Sequence, residues 1–142
     1  MEITIEEDYA IRTVTYLAKY PERIIPRREI SKIMQISKNF LAKIAQKLEK
    51  AKIIKIYKGR KGGYKLTKEP EKVTLLKVIE EIKGEIFLNK CLFNSKACHC
   101  SSYCSVHKVW KEIKNFFRII LSQSHFKDLA EKGPCFLYIS LD

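Results

Sequence analysis

The sequence predicts a mainly α fold that carries one small β-hairpin and runs into a long amphipathic helix. Three observations predict it: two short helical patterns around a tight break, a strand pair around a turn rich in glycine and basic residues, and an apolar stripe at spacings of three and four over residues 105–122. The chain has 142 residues, which suits one domain or a small domain with an attached arm. A chain of this length buries about 68% of its unfolded surface and needs no disulfides to fold. Hydrophobic residues make up 46%, which excludes a wholly disordered protein.

Taken in order, residues 5–20 read as a helix, because Ala10, Val14 and Leu17 recur on one face and Tyr9, Tyr16 and Tyr20 widen it. Pro21 and Pro26 bracket a loop. Residues 27–34 form a short helix with Ile30, Ile33 and Met34 inward, and Gln35-Ile36 is a tight break. Ser37 is a good N-cap, since its hydroxyl accepts from free backbone N–H groups. The helix 38–51 that follows places Phe40, Leu41, Ile44 and Leu48 on one face, and Lys38, Asn39, Lys43, Gln46, Lys47 and Lys50 on the other. Residues 53–57 are a β-branched strand, 58–63 a cationic turn and 64–66 the return strand. Helix-turn-helix followed by such a hairpin is a winged helix.

After Pro70, Thr74 caps a helix over 75–83, and Gly84 stands at its C′ position. Residues 85–104 read as irregular and hold four of the five cysteines. The long helix 105–122 carries Val106, Val109, Trp110, Ile113, Phe116, Phe117 and Ile120, a stripe wide enough to pack against another helix. Ser124 is expected to cap a last short helix ending at Lys132. Gly133-Pro134 stops it, and the tail from Cys135 to Asp142 is apolar and strand-like. The organisation expected is a winged-helix domain over 1–84, a cysteine-rich loop over 85–104, and a long amphipathic helix with a C-terminal tail over 105–142.

The net charge is +12, and its location is informative. Residues 26–68 hold 14 Lys and Arg against only Glu29 and Glu49, so this segment carries the whole excess. A partner with regularly spaced negative charge explains such a concentration. No apolar run approaches the ~18 residues of a membrane span. The acidic start (Glu2, Glu6, Glu7, Asp8) is unlike a secretory signal. A cytoplasmic protein with no membrane partner is therefore expected. In a reducing cytosol, cysteines serve metal binding or redox chemistry more often than disulfide scaffolds.

The wing Gly59-Arg60-Lys61-Gly62-Gly63-Tyr64-Lys65-Leu66 is similar to the G-x-x-G-G-Y-x-L of the Rrf-two (Rrf2) family of bacterial winged-helix regulators, of the IscR and NsrR type. Tyr9-Ala10, the Ser37–Leu48 helix, Val78-Ile79 through Gly84, and the three-cysteine loop followed by Val109-Trp110 fit as well. The resemblance runs to about residue 130 and implies a homodimer, with Val106, Val109, Trp110, Ile113, Phe117 and Ile120 at the contact, reading a partly palindromic duplex operator. It further implies that the cysteine loop holds an iron–sulfur cluster.

On a winged helix, base edges are read near the start of the recognition helix, here Ser37, Lys38, Asn39, Ala42 and Lys43. Asn39 suits adenine, and Lys38 or Lys43 suits guanine or a phosphate. Arg60 or Lys61 at the wing tip suits a narrow minor groove. Arg28, Lys47 and Lys58 complete the expected DNA-binding set. Lys58 and Ala42 depart from the residues common in the family, so the operator sequence does not carry over.

The cysteine loop reads Cys91-x6-Cys98-His99-Cys100-x3-Cys104-x2-His107. The resemblance makes Cys91, Cys98 and Cys104 the three thiolate ligands. It offers two fourth ligands: His107 of the same chain, which goes with a two-iron cluster, or Asp8 of the partner subunit, which goes with a four-iron cluster. Cys100 is an extra thiol, either a competing ligand or a group that exchanges with Cys98 or Cys104 on oxidation. Cys135 reads as a small buried hydrophobe. The function expected is a regulator, a repressor in the leading form, whose operator affinity responds through the cluster to nitric oxide, redox state or iron–sulfur supply. The alternative is a cluster-free or zinc-bound regulator controlled by thiol oxidation or a protein partner. An enzyme built on Cys104 and His107 is disfavoured, because no oxyanion-site or substrate-pocket motif accompanies them.

Overall fold

The structure is a computed structural model that describes residues 2–132. Helix α1 (Ile5–Lys19) starts in a capping box, in which Thr4 caps Glu7 N–H and the Glu7 carboxylate accepts from the Thr4 backbone. Helices α2 (Arg27–Met34) and α3 (Lys38–Lys50) follow. The break between them is made by Gln35 in the left-handed region at φ 55°. Ser31 and Ile36 close it with two hydrogen bonds, and Arg12 of α1 donates to the Met34 carbonyl at 3.2 Å. Ser37 caps α3 as expected, accepting from Phe40 N–H at 3.3 Å.

Strands β1 (Ile54–Tyr57) and β2 (Gly63–Leu66) form the antiparallel hairpin, paired from Ile54 with Leu66 to Tyr57 with Gly63. Gly63 belongs to the return strand rather than to the turn. The hairpin is also tied to the body, because Ile25 and Tyr64 exchange backbone hydrogen bonds of 2.9 and 2.8 Å. A Cβ on Gly63 would lie 2.2 Å from the Ile25 carbonyl oxygen, so only glycine lets the two backbones approach.

Beyond a 3₁₀ turn at Pro70–Lys72 come α4 (Leu75–Lys83), α5 (Lys90–Phe93), α6 (Ser105–Gln123) and α7 (Phe126–Lys132). Gly84 ends α4 at φ 95°, in the positive region expected of it. Residues 85–104 are more ordered than the sequence predicts, containing α5 and a 3₁₀ turn at Ser95–Ala97. Such short pieces leave no periodicity to read. The expected N-cap role of Ser124 is not found. Its hydroxyl donates to the Ile120 carbonyl at 2.8 Å and so closes α6.

One core unites Ala10, Val14 and Leu17 of α1 with Ile30, Met34, Leu41, Ile44, Leu48, Val78 and Phe126. Helix α7 packs on α1, with Phe126 and Ala130 buried in this core. The sequence groups α7 with the arm; the fold returns it to the head, held by the Phe126 N–H to Val73 carbonyl bond at 2.9 Å. In α6, by contrast, no residue is fully buried. It is moored to the head by ion pairs from Arg118 to Glu80 and from Lys114 to Glu85. The tail with Cys135 lies outside the described residues.

Candidate nucleic-acid interface and cysteine site

The Ile25–Tyr64 pairing sets the wing beside the start of α2. Between them lies an open hollow of about 490 Å³, lined by Arg27, Arg28, Lys38, Tyr57, Lys58 and Arg60 among others. Five side chains of one sign, from three elements, thus face one space. Arg28, Lys38, Lys58 and Arg60 are expected from the sequence, whereas Arg27 and Tyr57 are not. Arg27 had a local signal, its place in the basic run beside Arg28. What brings it to the wing is a pairing 39 residues apart that no local pattern announces.

Lys38, Asn39 and Lys43 are exposed at the start of α3, with Ala42 half-buried between them. Phe40 fixes this turn by packing edge-on against Tyr9, with ring centroids 5.4 Å apart. Lys61 is exposed at the wing tip. Lys47 pairs with Glu6 of α1 at 2.6 Å and is not among the residues lining the hollow.

Helix α2 is held by a polar link in which only Tyr16 is buried. The Tyr16 hydroxyl donates to Glu29 at 2.7 Å, and Arg23 closes on the same carboxylate at 3.0 and 3.1 Å. Burial, then the bond to Glu29, pushes the Tyr16 phenol well above its ordinary pKa. Burial tends to raise the Glu29 carboxyl, but hydrogen bonds from Arg23 and Tyr16 outweigh it and hold the group below the usual range.

The cysteine site forms where α5 meets the first turn of α6. Cys104 is the N-cap of α6, its sulfur accepting from His107 N–H at 3.4 Å. His107 Nδ1 lies 3.2 Å from Cys91 Sγ. Cys98 is exposed and lines the same hollow as His107. Cys100 is set apart, accepting from the Tyr103 hydroxyl at 3.4 Å. Asp8 sits on α1, paired with Arg12 at 2.9 Å.

Among the described residues, no three of His, Cys, Asp and Glu converge closely enough to hold a single metal ion. Cys91 and Cys104 nonetheless meet His107 at one helix start, and Cys98 shares a hollow with that histidine. That soft donor set fits an iron–sulfur cluster in its chemistry.

Along α6, Val106, Val109, Phe116, Ile119 and Ile120 are exposed, Phe116 by 63%. Trp110, Ile113 and Phe117 are half-buried. Of the exposed group, Ile119 escapes the sequence reading. Among the described residues, no helix is long and apolar enough to cross a membrane.

A family profile described as "Rrf2: Iron-dependent Transcriptional regulator" matches residues 3–132. The chain belongs to the Rrf2 family. It is an Rrf2-type, DNA-binding transcriptional regulator. The HTH-type transcriptional regulator NsrR of Shouchella clausii is 32% identical over 133 residues, covering 92% of this chain and 89% of the relative. Among solved structures, CymR, the global cysteine regulator of B. subtilis, superposes with a TM-score of 0.79 at 22% identity, covering 94% of this chain and 99% of that one. T. potens IscR superposes at 0.76 with 18% identity, covering 94% and 89%. The two structural likenesses establish the winged-helix Rrf2 fold.

Proposed function

We propose that this Rrf2 regulator is a homodimeric repressor whose grip on a duplex operator is controlled by an iron–sulfur cluster. The gathering of His107 with Cys91 and Cys104 at the start of α6 carries this reading. Cys91, Cys98 and Cys104 would hold the group, with His107 the fourth ligand available in the same chain and Asp8 of a second copy the alternative. When bound, the group supplies a centre sensitive to nitric oxide, oxidants and iron–sulfur supply.

The chain's own residues do the rest. Arg27, Arg28, Lys58 and Arg60 neutralise phosphates across the hollow beside the wing. Ser37, Lys38, Asn39, Ala42 and Lys43 face the base edges, and Lys61 reaches from the wing tip. Lys47 joins them only by leaving Glu6. The apolar face of α6, with Val106, Val109, Trp110, Ile113, Phe117 and Ile120, receives its mate in the dimer. Glu80 and Glu85 transmit loop order to the head through Arg118 and Lys114. For this coupling to work, the two head arrangements must hold the loop differently.

Anaerobic purification followed by iron and acid-labile sulfide analysis tests the reading, with gel-shift titration of the loaded and stripped protein. The expected result is iron and sulfide in the protein and a difference in operator affinity between the two forms. Iron-free, colourless protein, or equal affinities, overturns it. A second reading, regulation by thiol oxidation without a cluster, is favoured by the exposure of Cys98 and Cys100. It predicts operator affinity that responds to peroxide in iron-free protein.

A further inference from the structure

Another hollow, lined by no cysteine and by no residue of the basic face, lies where the first turn of α1 meets the end of α4 and the first residues after Gly84. It has a volume of about 300 Å³ and is lined by Glu7, Ile79, Lys83, Glu85, Ile86 and Phe87. Small-molecule sites are of this kind, largely apolar with a few convergent polar groups.

Glu7 is 1% exposed, and its two oxygens are treated differently. Oε2 accepts from the Thr4 backbone N–H at 2.8 Å and the Thr4 hydroxyl at 2.7 Å, with Lys83 Nζ 3.6 Å away. Oε1 is buried and has no hydrogen-bond partner. A buried carboxylate oxygen without a donor is costly, so this acceptor calls for a donor from outside the chain. Lys83 supplies the complementary group. Its ammonium has three donors, gives one to the Glu2 carbonyl at 2.9 Å, and its side chain remains 41% exposed. Glu85 is engaged by Lys114, which leaves Glu7 and Lys83 as the polar pair of the hollow. Ile79 and Ile86 are buried walls, and Phe87 is a partly exposed one.

An unmatched acceptor, an adjacent ammonium and three apolar walls suit a molecule that carries an ammonium and a carboxylate next to a short apolar side chain. We propose that this hollow binds a small α-amino acid with an apolar side chain. Its ammonium donates to Glu7 Oε1, its carboxylate meets Lys83, and its side chain lies against Ile79, Ile86 and Phe87. One anion and one cation in the wall are matched by one cation and one anion in the ligand. The occupant would touch α1 of the head and also residues 85–87, which begin the run toward the cysteines, with Gly84 at φ 95° between α4 and that run. It would give the regulator a metabolite input at the start of the cysteine-rich loop that uses none of its thiols.

The test uses the full chain without DNA or iron, so its failure is separate from that of the cluster reading. Leucine, isoamylamine and isovalerate are titrated in turn by calorimetry, with methyl NMR of the isoleucines. Leucine is expected to bind, with each one-headed analogue weaker by about tenfold or more, and to shift the Ile79 and Ile86 methyls. Lys83→Met should weaken leucine by about tenfold and leave isoamylamine unchanged. Glu7→Gln should abolish binding of leucine; because it also weakens the α1 cap, the wild-type methyl shifts and the exposed Lys83 variant decide independently. The proposal is overturned if leucine at about 10 mM, enough to load a millimolar site, shifts neither methyl. Binding of isovalerate as tight as that of leucine, or leucine shifts confined to Ile53 and Ile54, likewise overturns it.

Discussion

His107 Nδ1 and Cys91 Sγ lie 3.2 Å apart although 16 residues separate them in the chain. The contact joins α5 to the first turn of α6, and Cys104 caps that same turn. His107 therefore sits between two of the proposed thiolate ligands, whereas Asp8 lies on α1, paired with Arg12. In anaerobically purified protein, His107→Ala should change the visible absorption and Mössbauer spectra and lower iron retention, and Asp8→Ala should leave both as in the parent. The reverse pattern would assign the fourth ligand to Asp8 of a second copy. Serine at Cys91, Cys98 and Cys104 together should remove iron altogether.

The hollow between α2 and the wing predicts how affinity depends on salt. Each phosphate cation removed should lower the slope of log affinity against log salt by about 1. Arg27→Ala and Arg60→Ala should each do so, weakening binding to all duplexes. Asn39→Ala should instead relax base preference at one operator position, with a cost of about 1–3 kcal/mol on the preferred sequence only. Fluorescence anisotropy across a salt series distinguishes the two classes.

Gly63 carries the wing's approach to Ile25. Gly63→Ala sets a Cβ 2.2 Å from a backbone oxygen, at a φ of 155°. Destabilisation of about 1–3 kcal/mol is expected, seen as a lower Tm, together with weaker DNA binding. Gly59→Ala meets no atom within 4 Å and bears only its φ of 97°, so it should cost less.

Glu29 gives the head an acid sensitivity. Its folded pKa is held below the ordinary carboxylate value, so its contribution to stability is full above about pH 4.3 and disappears as pH falls through the folded value. Thermal melts between neutral pH and pH 3 should show this loss in the parent. Glu29→Gln should be less stable at neutral pH and show a shallower acid slope.

The exposed face of α6 predicts a concentration-dependent assembly. Phe116 and Ile119 lie in the open, 63% and 53% exposed, and such faces mark association sites. Ile119→Asp should halve the mass seen by analytical ultracentrifugation without lowering helix content. In the proposed dimer two heads bind one operator together, so the variant should also weaken operator binding by more than tenfold.

Much of the fold is legible residue by residue. Ala10, Val14 and Leu17 announce α1 by spacing, Ser37 announces the start of α3 by its hydroxyl, and Gly84 announces the end of α4. The short elements in residues 85–104 are not legible, since a helix of one turn has no period to detect. Ser124 misleads for a related reason: a serine hydroxyl bonds the carbonyl four residues back as readily as it caps the next helix. Of the site, Lys38, Lys58 and Arg60 can be read from charge and position. Arg27 and Tyr57 join them only through the Ile25–Tyr64 pairing.

By itself, the sequence determined the mainly α winged-helix class, the concentration of positive charge over residues 26–68, and the run of cysteines with a histidine leading into α6, because each depends on neighbours within a few turns of chain. Tertiary structure alone decided that α7 buries Phe126 in the head, that α2 and the wing share one cationic hollow, and that Glu7 has one oxygen without a donor. Those outcomes rest on contacts between distant segments, where packing and backbone pairing rather than local preference select the partner.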